Sequence, residues 1–226
     1  MAKLKWNQVG ERLFETGVKN GVLYPQVDGA YPKGVAWNGL SAVTESPSGA
    51  EATPIYADDT KYLNLLSVEE FGATVEAYMY PPEFDACLGN VELVAGVSVG
   101  QQAHQAFGMS YMTTIGNDTV GNAYGYKLHL IYGATAAPSE RSYQTINDSP
   151  EPMAMSFELT TTPVAVNMKQ PTASLTIDST KTRPEVLVAL KDILHGTESE
   201  DARLPLPDEI LEIIMAVPNQ NPGLGE

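Results

Sequence analysis

The chain has 226 residues, with 13 Lys plus Arg against 28 Asp plus Glu, a formal net charge of −15. Phosphate binding needs clustered Lys and Arg, so this balance argues against a nucleic-acid-binding surface and against docking on an anionic membrane. A single cysteine, Cys87, excludes an internal disulfide framework and a multi-cysteine zinc site, while 43% hydrophobic and 18% charged residues belong to a folded protein.

Met1 to Trp6 carries slight positive charge but no apolar stretch follows. No signal peptide is read there, and no apolar run approaches the roughly 18–20 residues of a membrane span. Gly and Pro punctuate the whole chain, the rhythm of short strands joined by turns. Ser41 to Asp59 reads as a loop, with Ser46-Pro47-Ser48-Gly49, Pro54 and Asp58-Asp59. Thr74 to Tyr80 alternates, with Val75, Ala77 and Met79 on a buried face and Glu76, Tyr78 and Tyr80 on a wet one. Pro81 to Gly89 reads as a second loop. Lys127 to Tyr132 buries Leu128, Leu130 and Tyr132 and puts His129 on a wet face. Ala134 to Pro152 reads as a third loop. Met155 to Thr160 buries Met155, Phe157 and Leu159, leaving Glu158 outside; Ala173 to Asp178 buries Ala173, Leu175 and Ile177, leaving Asp178 outside.

A helix is predicted over 184–194. Pro184 opens it, Glu185 suits its first turn, Val186, Leu187, Leu190, Ile193 and Leu194 form one stripe, and Gly196 stops it. A second segment, Pro207 to about Val217, is too short and apolar to assign to helix or strand. The tail 218–226 has turn composition and is expected to fray.

The sequence carries little that reads as chemistry. His104, His129 and His195 lack ligand spacing and read as structural or surface histidines. Cys87 sits in a turn with no basic neighbour in sequence and reads as an inert thiol. Asp58-Asp59 and Asn117-Asp118-Thr119 lack the oxygen spacing of a calcium loop. Gly96-Val97-Ser98-Val99-Gly100 lies at a strand start, not at a nucleophile elbow. No catalytic set, metal or cofactor is assigned.

Several strings, in order, carry a resemblance. They are Phe14-Glu15-Thr16-Gly17-Val18 leading to Gly21–Pro25; Gly34–Leu40 followed by Glu45–Glu51; Tyr56–Asp59 with Lys61–Asn64; and Glu70–Tyr78. Later come Gly108 to Thr119, Tyr126–Gly133, Ser156–Pro163 and Leu175–Ser179. Together, from about Trp6 to Pro207, they resemble the major tail protein, or tail tube protein, of long non-contractile-tailed bacteriophages and prophages of Gram-positive bacteria.

The resemblance implies a mainly β fold of two packed antiparallel sheets flanked by a helix; 1–217 is read as one tail-tube domain, and 218–226, by its composition, as a flexible tail. It implies a virion protein, made in the host cytoplasm, that forms stacked hexameric rings around a tape-measure protein. It also implies contacts with tail-completion and tip proteins, and a lumen through which phage DNA passes without specific binding. A loop carrying Ser46, Pro47, Gly49, Glu51, Pro54, Tyr56, Asp58 and Asp59 is expected to make the ring-to-ring contact. Glu76, Glu158 and Asp178 are the candidate lumen-facing acids, since each alternates away from a buried face. The alternative is a soluble β-sandwich binding a ligand or glycan on a platform of Tyr78 and Tyr80; an acidic hydrolase has less support.

Overall fold

The computed structural model describes residues 3–143, 145–146, 148 and 152–217; the expected fraying tail, 218–226, lies outside them. The strands are β1 (Leu13–Pro25), β2 (Val35–Trp37), β3 (Leu40–Glu45), β4 (Ala52–Ala57), β5 (Thr60–Leu66), β6 (Gly72–Ala77), β7 (Val91–Val94), β8 (Val97–Val99), β9 (Phe107–Asn117), β10 (Gly121–Ala136), β11 (Met155–Thr161) and β12 (Ser174–Asp178). Two short 3-10 turns, Pro82–Phe84 and Ala86–Leu88, follow β6, and helices α1 (Pro184–His195) and α2 (Pro207–Ala216) close the described chain.

The main sheet is antiparallel and runs β2-β1-β9-β10-β11-β6-β3, with β12 also paired to β10. β10 makes this possible by changing partner along its length. Lys127 to Ile131 face β12, whereas Ala134 to Ala136 face β11. Gly133, between them, has φ 57°, and a Cβ there would run into the Thr162 carbonyl oxygen. Only glycine fits both constraints, so the bend is written at this residue. It carries β11, β6 and β3 over β2, β1 and β9, giving two packed antiparallel layers of a β-sandwich with no barrel closure.

The core between the layers is built from the expected parity. Val75, Ala77, Phe157 and Leu159 face Leu23, Phe107, Met109 and Ile131. Phe84, delivered by the first 3-10 turn, plugs the middle, with its ring 4.7 Å from Trp37, 5.1 Å from Phe157 and 5.3 Å from Phe107. Pro81 to Gly89 is therefore more than a loop, because Phe84 and Cys87 are buried members of this core. Met79 departs from the predicted alternation. β6 ends at Ala77, so Met79 lies exposed while the Tyr80 ring turns inward, 5.7 Å from both Phe84 and Phe157.

The second core lies on the outer face of β1, β9, β10 and β12. Val22, Met112, Leu128, Leu130 and Ile177 pack under Val186, Leu187, Leu190 and Leu194 of α1 and Ile210 of α2. The helix predicted over 184–194 thus forms as expected, and the segment from Pro207, left open by its short apolar pattern, is a second helix. Tyrosines tie the layers. Tyr24 donates its buried hydroxyl to the Leu194 carbonyl at 2.7 Å, and Tyr132 donates to Pro205 at 3.0 Å. Arg183 links the helices by donating to the carbonyls of Val217 at 3.0 Å and Ile214 at 2.7 Å, which would otherwise be open at the end of α2. The first residues of the segment expected as a third loop, Ala134 to Ala136, belong to β10.

Candidate assembly surface

β3 and β6 continue past the sandwich as one ribbon. The Ser46 N–H donates to Gly72 at 2.8 Å, Ser48 and Glu70 exchange bonds of 2.8 Å, and the Ser67 N–H reaches Glu51 at 3.1 Å. β4 and β5 then pair from Ala52 with Leu66 to Ala57 with Thr60. At the tip, Asp58 and Asp59 have φ of 50° and 60°, the doubly positive geometry of a two-residue hairpin turn. Near the root, Gly49 has φ 87° and passes so close to Val68 that a Cβ would strike its carbonyl oxygen.

Every residue of β4 and β5 is exposed, among them Ile55, Tyr56, Tyr62, Leu63, Leu65 and Leu66. Ser41 to Asp59 is thus strand, kink, strand and turn, and not a loop. The strand signal was hidden because neither face of β4 is buried, so no alternation marks it. Pro54 is tolerated there because β4 pairs on one side only. Ser46, Pro47, Gly49, Glu51, Pro54, Tyr56, Asp58 and Asp59 all lie along this arm.

Two further apolar features stand on the surface. β7 and β8 form a short hairpin that exposes Leu93, Val94 and Val97. The segment before β1 exposes Leu4, Trp6 and Val9. Its later part is pinned to the turn after β9, where Asp118 accepts from the Gly10 N–H at 2.9 Å. Exposed apolar groups gathered this way mark contact surfaces.

The sequence-predicted acids separate into a pair and a single. Glu76 lies opposite Ser156, and Glu158 opposite Thr74, so both carboxylates leave the outer face of the β6–β11 pair. Around them stand Thr44, Thr74, Ser156 and Thr160. Asp178 is elsewhere, opposite Lys127 at the end of β12. It accepts from the Thr180 N–H at 2.9 Å and hydroxyl at 2.7 Å, the bonds of a turn cap, and these hold its carboxyl below the ordinary range.

A polar cluster closes one end of the sandwich at the root of the arm. His129 stacks flat on Tyr111, the rings 4.7 Å apart and 1° from parallel. The Tyr111 hydroxyl donates to Glu45 at 2.5 Å, and the Thr113 hydroxyl donates to Glu15 at 2.5 Å. Lys127 pairs with the other Glu15 oxygen. Burial works to raise the Glu15 carboxyl, and the bonds from Lys127 and Thr113 outweigh it, leaving it lowered. Glu45 is also lowered, by His129 foremost and by Tyr111, against partial burial. Burial first, then Glu45, pushes the Tyr111 hydroxyl up. His129 is thus not on a wet face: its side chain is only 12% exposed. Its parity is as expected, but the second layer covers that side.

His104 bonds the Ala136 carbonyl at 3.1 Å, and His195 ends α1. Among the described residues, no group of three or more His, Cys, Asp and Glu side chains is placed to hold a metal ion. No helix among them is long and apolar enough to cross a membrane. Tyr78 and Tyr80 do not form a platform, since Tyr78 is exposed while Tyr80 is packed into the core edge and donates to Asp85 at 3.2 Å.

No protein-family model matches the chain, and no curated protein matches it. Among solved structures, the chain is similar to one in the six-fold symmetrised cryo-EM structure of the anti-feeding prophage baseplate. It is 10% identical to that chain, the match covers 77% of this chain and 97% of that one, and the TM-score is 0.38.

Proposed function

We propose that this chain is a structural subunit of a phage tail tube, assembling with copies of itself into stacked hexameric rings. The observation that carries the reading is the arm of β4 and β5. A two-stranded ribbon with no buried face is marginal alone. This one nevertheless presents six large apolar or aromatic side chains on strands of six and seven residues, about 20 Å long. Such a ribbon gains its stability when a neighbouring subunit covers it. The string-by-string resemblance supplies the kind of assembly, and the arm sits where that resemblance places the ring-to-ring contact.

On this reading the outer face of β6 and β11 lines the lumen. Glu76 and Glu158 repeat around every ring and keep DNA phosphates at a distance. A basic wall would release counterions and hold the DNA. The tape-measure protein and the tail-completion and tip proteins are the remaining partners, the virion is the site of action, and the role is structural with no catalytic step. The glycan-binding alternative loses its platform with Tyr80.

The test replaces Ala52–Leu66 by an Asn-Gly turn, which the 3.1 Å bond between the flanking Glu51 and Ser67 allows without moving the sandwich. Light scattering of both proteins across concentration should show large assemblies for the parent and nothing larger than a single ring for the variant. Equal assembly by both would overturn the role of the arm.

A further inference from the structure

The cluster at the root of the arm has an unusual distribution of protons. The Thr113 hydroxyl spends its one proton on Glu15 Oε1 at 2.5 Å, so toward His129 Nε2, 2.9 Å away, it is an acceptor. Nε2 therefore carries hydrogen. The other ring nitrogen, Nδ1, is buried and has no hydrogen-bond partner. It lies 3.3 Å from Glu45 Oε1, the oxygen that already accepts the Tyr111 proton. In a neutral ring, Nδ1 would turn a lone pair toward a carboxylate. In a protonated ring, the same atom offers a donor to that carboxylate, and Glu15 Oε1 lies 3.6 Å from the opposite nitrogen.

We infer that His129 is a proton-operated clasp: its imidazolium bridges Glu15 on β1 and Glu45 on β3 and fixes the root from which the arm leaves the sandwich. Glu45 is the last residue of β3, and the ribbon hydrogen bonds of Ser46 and Ser48 follow it directly. The charged and titratable groups facing the ring are Glu15 from β1, Glu45 from β3, Tyr111 from β9, Lys127 from β10 and, beside Lys127, Asp178 from β12. Lys127 opposes a second positive charge on the ring, and its own ammonium is paired with Glu15. Histidine ordinarily changes charge between about pH 5 and 8, within reach of modest acidification. The clasp is closed while the ring carries both protons and opens when it gives one up, so acid favours the closed form and base the open one. Below the range, protonation of the carboxylates opens it again.

The clasp is a property of one subunit and is read without assembly, so it stands or falls separately from the tube. The test is NMR of the parent, His129→Gln and Glu45→Gln proteins between pH 5.5 and 8, at concentrations where light scattering shows single subunits. In the parent, the titration of the His129 ring should move the Glu45 and Ser46 amide signals with the same midpoint. Amide protection at Ser46, Ser48 and Glu70, corrected for intrinsic exchange, should be about three- to tenfold greater at the acidic end. Both variants should lose this dependence. Protection independent of pH in the parent, or the same dependence in His129→Gln, would overturn the clasp. If that variant does not fold, the parent ring titration decides: amide signals at Glu45 that ignore it are equally fatal.

Discussion

Leu190 tests the packing of the helical layer. It is fully buried, in the middle of α1, against the outer face of the β1–β9–β10–β12 sheet. Leu190→Ala leaves helix propensity nearly unchanged, so the loss is transfer free energy plus the cavity left under the helix. Two flanks limit collapse into that cavity: the Tyr24 hydroxyl holds the end of α1, and Arg183 ties its start to α2. Leu-to-Ala changes at such sites cost about 2–5 kcal/mol, and about 3 kcal/mol is expected here. For a chain of this size that lowers Tm by roughly 6–12 °C. Leu190→Asp should cost at least as much, because it also buries a charge. Val188, on the same helix but 59% exposed, is the control, and its change to Ala should stay within about 0.5 kcal/mol. Urea unfolding followed by circular dichroism measures all three. A Leu190→Ala protein as stable as the parent, or a Val188→Ala protein equally weakened, would refute the placement of α1.

Cys87 is fully buried and its thiol is pushed up to about 12 by burial, so it should resist thiol reagents at pH 8 until the protein unfolds; rapid labelling of the native protein would contradict its place beside Phe84. Glu45 is held low, so on the acid side its contribution is lost as pH falls from the ordinary carboxylate value near 4.3 through its lower folded value. Glu45→Gln should flatten the fall in stability below the ordinary carboxylate value near 4.3, and an unchanged acid limb in thermal melts would argue against the Glu45 contacts. Changing Glu76 and Glu158 together to Lys should leave assembly intact and slow DNA delivery, whereas Asp178→Lys should weaken its turn and leave delivery alone; parent-rate delivery by the double variant would remove those carboxylates from the lumen wall.

The parts of the fold legible in the sequence are those where one face is buried within the subunit. Leu128, Leu130, Phe157 and Leu159 alternate because a core lies on one side of them, and the stripe of α1 repeats at helical spacing for the same reason. β4 and β5 carry no such imprint, since both faces are open in the single chain. Their one local signal was Asp58-Asp59 between two extended runs, a hairpin turn in two residues. His129 shows a second limit. Alternation assigns it correctly to the face away from Leu128, but whether that face is wet depends on Glu45, which is 84 residues away and arrives only when the sheet folds at Gly133. Parity likewise separated Glu76 and Glu158 from the core. It could not tell that Asp178 ends its strand and caps a turn.

The most direct measurement is cryo-electron microscopy of the purified protein after concentration. Hollow tubes of stacked six-subunit rings are expected, with the arm of β4 and β5 covered by a neighbouring ring and Glu76 and Glu158 on the inner wall. Particles that remain single 24.3 kDa subunits at every concentration, or tubes whose arms stand free of any neighbour, would contradict the proposed assembly.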